Sequence, residues 1–307
     1  MAGTAIAVVA ALCAACMFAL GSLVQQSAAR ESGERILQLR LLLSLLRQPR
    51  WIGGVALSFG SFAVQGLALA FGPLTLVQPL AATDVLFALP LIARRNRRRL
   101  TRRDAAGALM VTAGIMVFLV VLPPVSGRSV PRLAAWMPAL VAIGAIASIS
   151  AVAALRVRGR PRVVWLAAAA ACCYGLLDAL TKSTVDILST RGAGVLITWE
   201  PYLLMGAAIL GALFGQSAFE SGALALSLPV IDVLEPVSAV VIGATVFGER
   251  LASSPGQLAL QLAGGAVAVV GIAVLSSSSI VTTETQLIPG QAGVGRAQPA
   301  RPGDRGT

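Results

Sequence analysis

The chain contains no histidine, and only 12% of its 307 residues are charged. Without histidine it lacks the commonest transition-metal ligand of proteins and their usual proton shuttle near neutral pH. The sequence also lacks a glycine-rich phosphate loop, a zinc-ligand spacing and a nucleophile elbow. We therefore expect a protein that is not an enzyme, binds no cofactor or resident metal, and is not a self-contained ATP-driven pump.

Apolar residues are what the chain has in excess: they make up 57% of it and give a mean hydropathy of +0.84. Such a composition is far too apolar for a soluble domain of this length. Nine long runs carry few charges, and most reach the roughly 20 residues that cross about 30 Å of hydrocarbon as a helix. They predict an all-α, polytopic membrane protein with spans at 4–24, 51–71, 73–93, 105–123, 133–155, 163–180, 195–219, 222–247 and 257–275.

One further segment, residues 34–50, leaves the expected number of transmembrane helices at nine or ten. Its pattern is helical, but it is short and carries Arg40 in the middle of the apolar run. We interpret it as an interfacial or briefly dipping helix. If it crossed the membrane, the N-terminus would move to the other side and everything downstream would keep its orientation.

The net charge of +11 comes almost entirely from arginine, which supplies 23 of the 24 basic residues. These cations cluster between apolar runs, above all in RRNRRRLTRR at 94–103, as orientation signals do. We therefore expect contact with the lipid bilayer and no nucleic-acid partner. Because 19 of the 24 lie on one set of alternate loops, the positive-inside rule places the N-terminus outside and the C-terminus in the cytoplasm of a cell (inner or plasma) membrane.

A shift of 157 residues aligns the chain with itself and indicates two homologous halves. Alanine and leucine matches mean little in this composition, whereas prolines and glycines at equal places in matched runs are informative. We expect the glycines to permit close packing of helices. The informative matches are Pro79 with Pro236, Gly107 with Gly264, and Gly114 with Gly271.

The halves, roughly 1–123 and 158–277, are separated by one additional helix at 133–155. An odd helix between them inverts the second half, a plan that recurs in secondary transporters with the substrate site near the midplane. Residues 1–277 are thus expected to form one transmembrane domain. Residues 278–307 are rich in Ser, Thr, Gly, Pro and Arg and are predicted to be a disordered cytoplasmic tail.

The first half carries the motif TLVQP at 75–79 inside an apolar run. A proline cannot donate to the carbonyl four residues earlier, so Pro79 frees the carbonyl of Thr75 and is expected to kink the helix. Thr75 and Gln78 stand three residues apart and share one helix face. Together they predict a polar notch that faces the bundle or a wet cavity, because unsatisfied polar groups are costly in lipid.

The second half carries DVLEP at 232–236, where Pro236 frees the carbonyl of Asp232 in the same way. Asp232 and Glu235 also share a helix face. Two like charges so close in a low dielectric do not both ionise readily unless a cation lies between them. We therefore predict that this pair binds a substrate or a coupling ion, opposite the notch of the first half.

Four other polar residues within the apolar runs are candidates. Asp84 lies near the centre of 73–93 and is expected at the same site. Gln216 can contact substrate or form a helix–helix hydrogen bond, and the same alternatives hold for Gln78. Asp178 and Lys182 stand four residues apart and are expected to form a local ion pair.

The stretches ALAFGPLTLVQPLAATDVL (68–86) and GALALSLPVIDVLEPVSAVVIGATVFGERL (222–251) resemble the paired halves of the drug/metabolite transporter superfamily, which includes EamA-like proteins. The first stretch and GQSAFESGAL (215–224) are also similar to the NIPA-type magnesium transporters, a nine-helix branch. The first half departs from the pattern because it lacks the Gly-Glu-Arg that closes the second. The resemblance implies transport of a small solute, driven by an ion gradient or by exchange.

Our interpretation is a secondary transporter that moves a small molecule or ion by alternating access about the two proline helices. Three alternatives remain at this stage. A magnesium or other divalent-cation permease would use Asp84, Asp232 and Glu235 around a partly hydrated ion. A proton-coupled exporter would use one of these carboxylates as its proton carrier. A non-transporting membrane scaffold would leave the cavity dry, and a homodimer is compatible with each alternative.

Overall fold

The structure is a computed structural model that describes residues 2–32, 36–71, 74–122, 131–249, 254–278 and 281–282. Within these ranges, the side chains at positions 2, 74, 75, 78 and 79 are not described. Every regular element in the described ranges is helical, which confirms the prediction of an all-α protein.

The described residues form eleven α-helices, and two of these helices are followed by a short segment of another helical type. A 3₁₀ segment, Gly192–Ile197, follows α8, and a π-helical segment, Gly243–Phe247, follows α10. The helices are α1 (Ala2–Glu31), α2 (Leu39–Leu45), α3 (Pro49–Phe71), α4 (Leu74–Ala81), α5 (Asp84–Arg95), α6 (Arg102–Val120), α7 (Leu133–Arg156), α8 (Arg160–Arg191), α9 (Glu200–Ser221), α10 (Leu224–Ile242) and α11 (Pro255–Ser276).

Eight of the described helices, namely α1, α3 and α6 to α11, are long and apolar enough to cross a membrane. This confirms a multi-pass membrane protein. The seven residues of α2 extend only about 10 Å, which is too short to cross, in agreement with the interfacial interpretation of 34–50. Its buried Leu41 and Leu45 face the bundle, while Leu43 and Leu46 on the other side are exposed.

The predicted span 73–93 is two helices in the structure. Helix α4 ends at Ala81 and α5 begins at Asp84, with a turn between them. In this turn the Thr83 hydroxyl donates a hydrogen bond to the Leu80 carbonyl over 2.7 Å. Helix α4 runs on through position 79, so the interruption comes after the proline at which a kink was predicted.

The alternating direction of the helices brings many arginines to one end of the bundle, which we call the arginine-rich end. Helices α1, α5, α7, α9 and α11 finish there, and α3, α6, α8 and α10 begin there. Contacts across this end agree: Arg95 donates to the Ser27 hydroxyl over 2.9 Å, and Arg162 donates to the Ala154 carbonyl over 2.9 Å. The other end is called the opposite end below.

Helices α6 and α11 cross in antiparallel fashion through paired glycines. A Cβ atom on Gly114 would lie 2.5 Å from the Gly264 carbonyl oxygen, and one on Gly271 would lie 2.9 Å from the Gly107 carbonyl oxygen. These separations are too short for any side chain, so backbone packs on backbone. The four glycines that the 157-residue shift singled out therefore lie together at one interface.

Each half also contains an antiparallel hairpin of long helices. In the first half, α1 packs on α3, and a Cβ on Gly21 would meet the Gly54 carbonyl oxygen at 2.8 Å. In the second, α8 packs on α9, where Gly211 accommodates the ring of Tyr174. The additional helix α7 packs on α8, and its fully buried Trp136 packs edge-to-face on the rings of Trp199 and Phe247.

Two residues of the predicted tail 278–307 contact the bundle. Val281 is fully buried, and Arg160 donates a hydrogen bond to the Thr282 hydroxyl. The described start of the tail therefore packs against the beginning of α8. Apart from Ser278 and these two residues, the predicted disordered tail lies outside the described residues.

Candidate functional site

A cavity of about 230 Å³ lies inside the bundle and receives side chains from both halves of the chain. Its polar residues are four carboxylates together with Ser61 and Gln65, and its remaining wall is apolar. No basic residue occurs among the described residues that line it. The lining residues are Ala14, Ala15, Phe18, Ser61, Phe62, Gln65, Ala81, Ala82, Asp84, Ile115, Leu119, Asp178, Asp232, Glu235 and Pro236.

Asp84 reaches this cavity because the helix of the first half is interrupted. As the first residue of α5 it is 4% exposed, and its Oδ1 accepts a hydrogen bond from the Val85 N–H over 2.8 Å. The N-terminus of a helix carries a partial positive charge and stabilises a nearby carboxylate. The break thus places an acidic group in the wall of the cavity.

Asp232 and Glu235 lie on α10, which is helical from Leu224 to Ile242 through Pro236. Both line the cavity, as the shared helix face predicted. The Oδ2 atom of Asp232 is buried and has no hydrogen-bond partner among the described residues. A buried acceptor without a partner is costly, so this oxygen is an available ligand for a donor or a cation in the cavity.

The position of Glu235 depends on a close approach between α8 and α10. A Cβ atom on Gly175 would lie 2.9 Å from the Glu235 carbonyl oxygen, so only glycine permits this contact. Ser238 bridges the two helices: its hydroxyl lies 2.8 Å from the Glu235 carbonyl oxygen and 3.2 Å from that of Ala171. The sequence shift did not single out Gly175, which aligns with Phe18.

Asp178 faces the cavity and does not form the predicted pair with Lys182. Lys182 makes its salt bridge with Glu249 instead, and its Nζ lies 4.5 Å from the centre of the Phe247 ring. Lys182 lies one turn nearer the opposite end than Asp178. There the chain turns after α10 at Gly248, whose φ is +70°, and this turn brings Glu249 to Lys182. The prediction of a local Asp178–Lys182 pair was therefore wrong, and Asp178 joins the acidic group.

Of the remaining predicted polar residues, the structure describes the side chain of Gln216 alone. The side chains of Thr75, Gln78 and Pro79 lie outside the described residues. Gln216 is buried and is not among the described lining residues. Its side chain forms hydrogen bonds to neighbouring helices, which is one of the two roles predicted for it. Gln65 was missed, although it is the one polar residue with an amide in the run 51–71.

The acidic cavity is electrostatically unbalanced. Asp232 lies close enough to Asp84 and Glu235 for their negative charges to repel one another. Glu235 is repelled in the same way by Asp178. With no cationic side chain in the described lining, these groups require protons or a bound cation. Among the described residues, no three acidic, thiol or imidazole groups converge closely enough to hold a metal ion directly.

A cluster of hydrogen bonds at the arginine-rich end connects the two halves of the chain. Gln26 and Arg30 of α1 both donate to the Gly222 carbonyl oxygen between α9 and α10, over 2.9 and 2.6 Å. Arg95 of α5 donates to the Gln26 side-chain oxygen over 2.6 Å. These bonds join α1 and α5 of the first half to the α9–α10 turn of the second.

A second group of bonds extends this cluster across α3. The Gln216 amide donates to Gln25 over 2.9 Å, and Trp51 donates to the Gln216 oxygen over 3.1 Å. We call these residues, with Gln26, Arg30, Arg95 and Gly222, the arginine-end cluster. It lies about 15 Å from Asp232 along α10, because ten residues separate Gly222 from Asp232 at 1.5 Å per residue.

No family model matches the chain, and no solved structure matches it. An uncharacterized protein of Corynebacterium glutamicum is 31% identical over 247 residues, which cover 80% of this chain and 86% of the relative. The match spans most of both proteins, and this chain therefore belongs to the same family as the Corynebacterium glutamicum protein.

Proposed function

We propose that the protein is a secondary transporter of the drug/metabolite transporter superfamily and that the acidic cavity is its transport site. The observation that carries this proposal is the convergence of Asp84, Asp178, Asp232 and Glu235, from three helices and both halves, on one cavity. Ionisable residues inside a membrane are expensive and mark substrate or ion pathways. The cavity therefore takes a cation as cargo, coupling ion or both.

Inverted repeats are part of the proposal. Under the 157-residue shift Gly107 corresponds to Gly264 and Gly114 to Gly271, so α6 corresponds to α11. Corresponding helices run antiparallel when a two-fold axis lies in the membrane plane. The antiparallel crossing of α6 and α11, with Gly107 against Gly271 and Gly114 against Gly264, supports this symmetry. With the interrupted span counted once, the protein has nine transmembrane segments.

Alternating access follows from the unequal ends of the bundle. The arginine-end cluster links the two halves, whereas the Lys182–Glu249 bridge at the opposite end lies within the second half. Every described lining residue of the cavity is displaced from the arginine-end cluster toward the opposite end. The conformation is thus one in which the arginine-rich end is closed, and transport requires the cluster to open.

Orientation and location are proposed from charge. The arginine-rich end faces the cytoplasm of the inner or plasma membrane, together with the C-terminus. In this orientation the closed end is cytoplasmic, and the cavity is reached from outside. We also propose that the protein is not an enzyme and does not bind nucleic acid.

A magnesium permease is the second candidate, because four carboxylates lie within one cavity. Mg²⁺ keeps several water molecules, so such a site would hold a hydrated ion through water rather than through direct ligands. A proton-coupled exporter would use the same carboxylates to carry protons. In a non-transporting scaffold, the unpartnered Asp232 oxygen would be bonded by water or by a neighbouring protein.

Reconstituted flux with a panel of cations and metabolites, at imposed pH gradients, tests these candidates. For a proton-coupled carrier, Glu235→Gln should abolish transport driven by a pH gradient while substrate exchange remains measurable. For a magnesium permease, Glu235→Gln and Asp232→Asn should each weaken the apparent affinity for Mg²⁺. External Mg²⁺ should then also protect cysteines placed at these two positions from labelling.

A further inference from the structure

We propose that the cavity binds a compact organic ammonium ion, with its charged head at the carboxylates and its hydrocarbon body against Phe18 and Phe62. This inference rests on the proposed function, since it identifies the class of cation for the same site. It is carried by the pairing of acidic and aromatic groups in one cavity of about 230 Å³.

The lining has an acidic part and a largely apolar part, to which α3 adds the polar side chains of Ser61 and Gln65. The carboxylates come from α5, α8 and α10, whereas α1 and α6 contribute only alanines, Phe18, Ile115 and Leu119. Phe62 of α3 adds a second ring, which meets that of Phe18 at a centroid distance of 6.2 Å and an angle of 65°. An amphipathic cation can contact both parts at once.

A metal ion would use only one of the two parts. A hydrated Mg²⁺ ion gains nothing from an apolar wall, and no three described acidic or thiol groups converge to replace its water. An ammonium group carries three N–H donors and can satisfy the buried Oδ2 atom of Asp232. The attached CH₂ groups and the charge are also attracted to aromatic faces.

The size of the cavity limits the body of this cation. Pockets for drug-sized ligands usually measure about 300–1,000 Å³. At about 230 Å³ the cavity is smaller, so it suits an amine with one ring or a short chain. Phenethylammonium is a suitable probe, and 2-phenylethanol is its uncharged analogue of nearly equal size.

The experiment measures binding of phenethylammonium, 2-phenylethanol and Mg²⁺ to the full-length protein in nanodiscs of zwitterionic lipid. Phenethylammonium should bind, and 2-phenylethanol should bind at least tenfold more weakly. Phe62→Leu should weaken phenethylammonium binding by about two- to fivefold, the range expected for one lost contact with a partly exposed aromatic ring. Asp232→Asn should weaken it further, with thermal unfolding as the check that both variants fold.

Phe59 provides the matched control: it lies one turn from Phe62 on the same helix, is similarly exposed at 71% against 58%, and does not line the cavity. Phe59→Leu should leave binding unchanged. Equal binding of the alcohol and the amine, or equal effects of Phe59→Leu and Phe62→Leu, would overturn the inference. If Mg²⁺ alone bound and depended on Asp232, the inference would fail while the transport site stood. If neither phenethylammonium nor Mg²⁺ bound, both this inference and the assignment of the cavity as the transport site would fail.

Discussion

The glycine interface between α6 and α11 provides a stringent test of the fold, because α11 carries two adjacent glycines in different environments. A Cβ on Gly264 would lie 2.8 Å from the Gly114 carbonyl oxygen and 2.9 Å from the Phe118 backbone nitrogen. A Cβ on Gly265 would have nothing within 4 Å. Gly264→Ala must therefore push two backbones apart, whereas Gly265→Ala adds a methyl group to open space.

The expected magnitudes differ in sign. Overpacking of a close interface costs about 1–3 kcal/mol, so Gly264→Ala should lower the free energy of unfolding by that amount. Gly265→Ala should be neutral or stabilising by up to about 1 kcal/mol, because alanine favours a helix. Because Gly114 and Gly264 share one contact, the double variant Gly114→Ala/Gly264→Ala should cost less than the sum of the single changes.

Unfolding of the purified variants in mixed micelles, followed by tryptophan fluorescence, measures these differences. Circular dichroism checks that helix content is unchanged before unfolding. Equal stability of the Gly264→Ala and Gly265→Ala proteins would show that α6 and α11 do not cross at these glycines. The support that this crossing gives to inverted repeats would then be lost.

Three further predictions concern the ends of the bundle and the orientation. Lys182→Met should destabilise the protein by about 1–2 kcal/mol in the same unfolding assay, because it leaves the Glu249 carboxylate unpaired. Asp178→Asn should not destabilise it. A larger loss of stability from Asp178→Asn than from Lys182→Met would instead support an Asp178–Lys182 ion pair. Gln26→Leu should weaken the closure of the arginine-rich end and raise labelling of cysteines introduced there, and unchanged labelling would argue against a closing role. Reporter fusions at Arg97 and Gly303 should both report cytoplasm, and an external signal from either would contradict the orientation.

Eight of the nine predicted spans appear as long helices among the described residues, because hydrocarbon imposes a simple rule on sequence. A run of about 20 apolar residues can satisfy its backbone in lipid only as a helix. The additional helix predicted at 133–155 accordingly appears as α7, Leu133–Arg156. The segment 34–50 could be distinguished from the transmembrane spans because it is short and carries Arg40 within its apolar run.

The interruption of the predicted span 73–93 could not be read from local sequence. The chain there reads Ala81-Ala82-Thr83-Asp84, without a glycine or proline at the turn. Alanine favours a helix, so the break depends on tertiary contacts rather than on propensity. Proline is a reliable sign of a weakened helix, but Pro236 lies within a helix that continues past it.

The candidate site, too, could be predicted only in part, because some of its contacts depend on tertiary structure. Asp84, Asp232 and Glu235 stand out because a carboxylate within an apolar run needs a special environment, wherever the helices pack. Asp178 was assigned to Lys182 because spacing along one helix is visible in sequence, whereas Glu249 reaches Lys182 only through the fold. Gln65 carried the same signal as the acids, a polar group in a long apolar run.

The most direct test of the central claim is cation-driven current in proteoliposomes that contain the wild-type protein or the double variant Asp232→Asn/Glu235→Gln. The two substitutions preserve shape but remove both charges from α10 at the cavity. We predict that a concentration jump of phenethylammonium, Mg²⁺ or protons produces a current with the wild-type protein and none with the correctly folded double variant. A wild-type current from the double variant would contradict the assignment of the acidic cavity as the transport site.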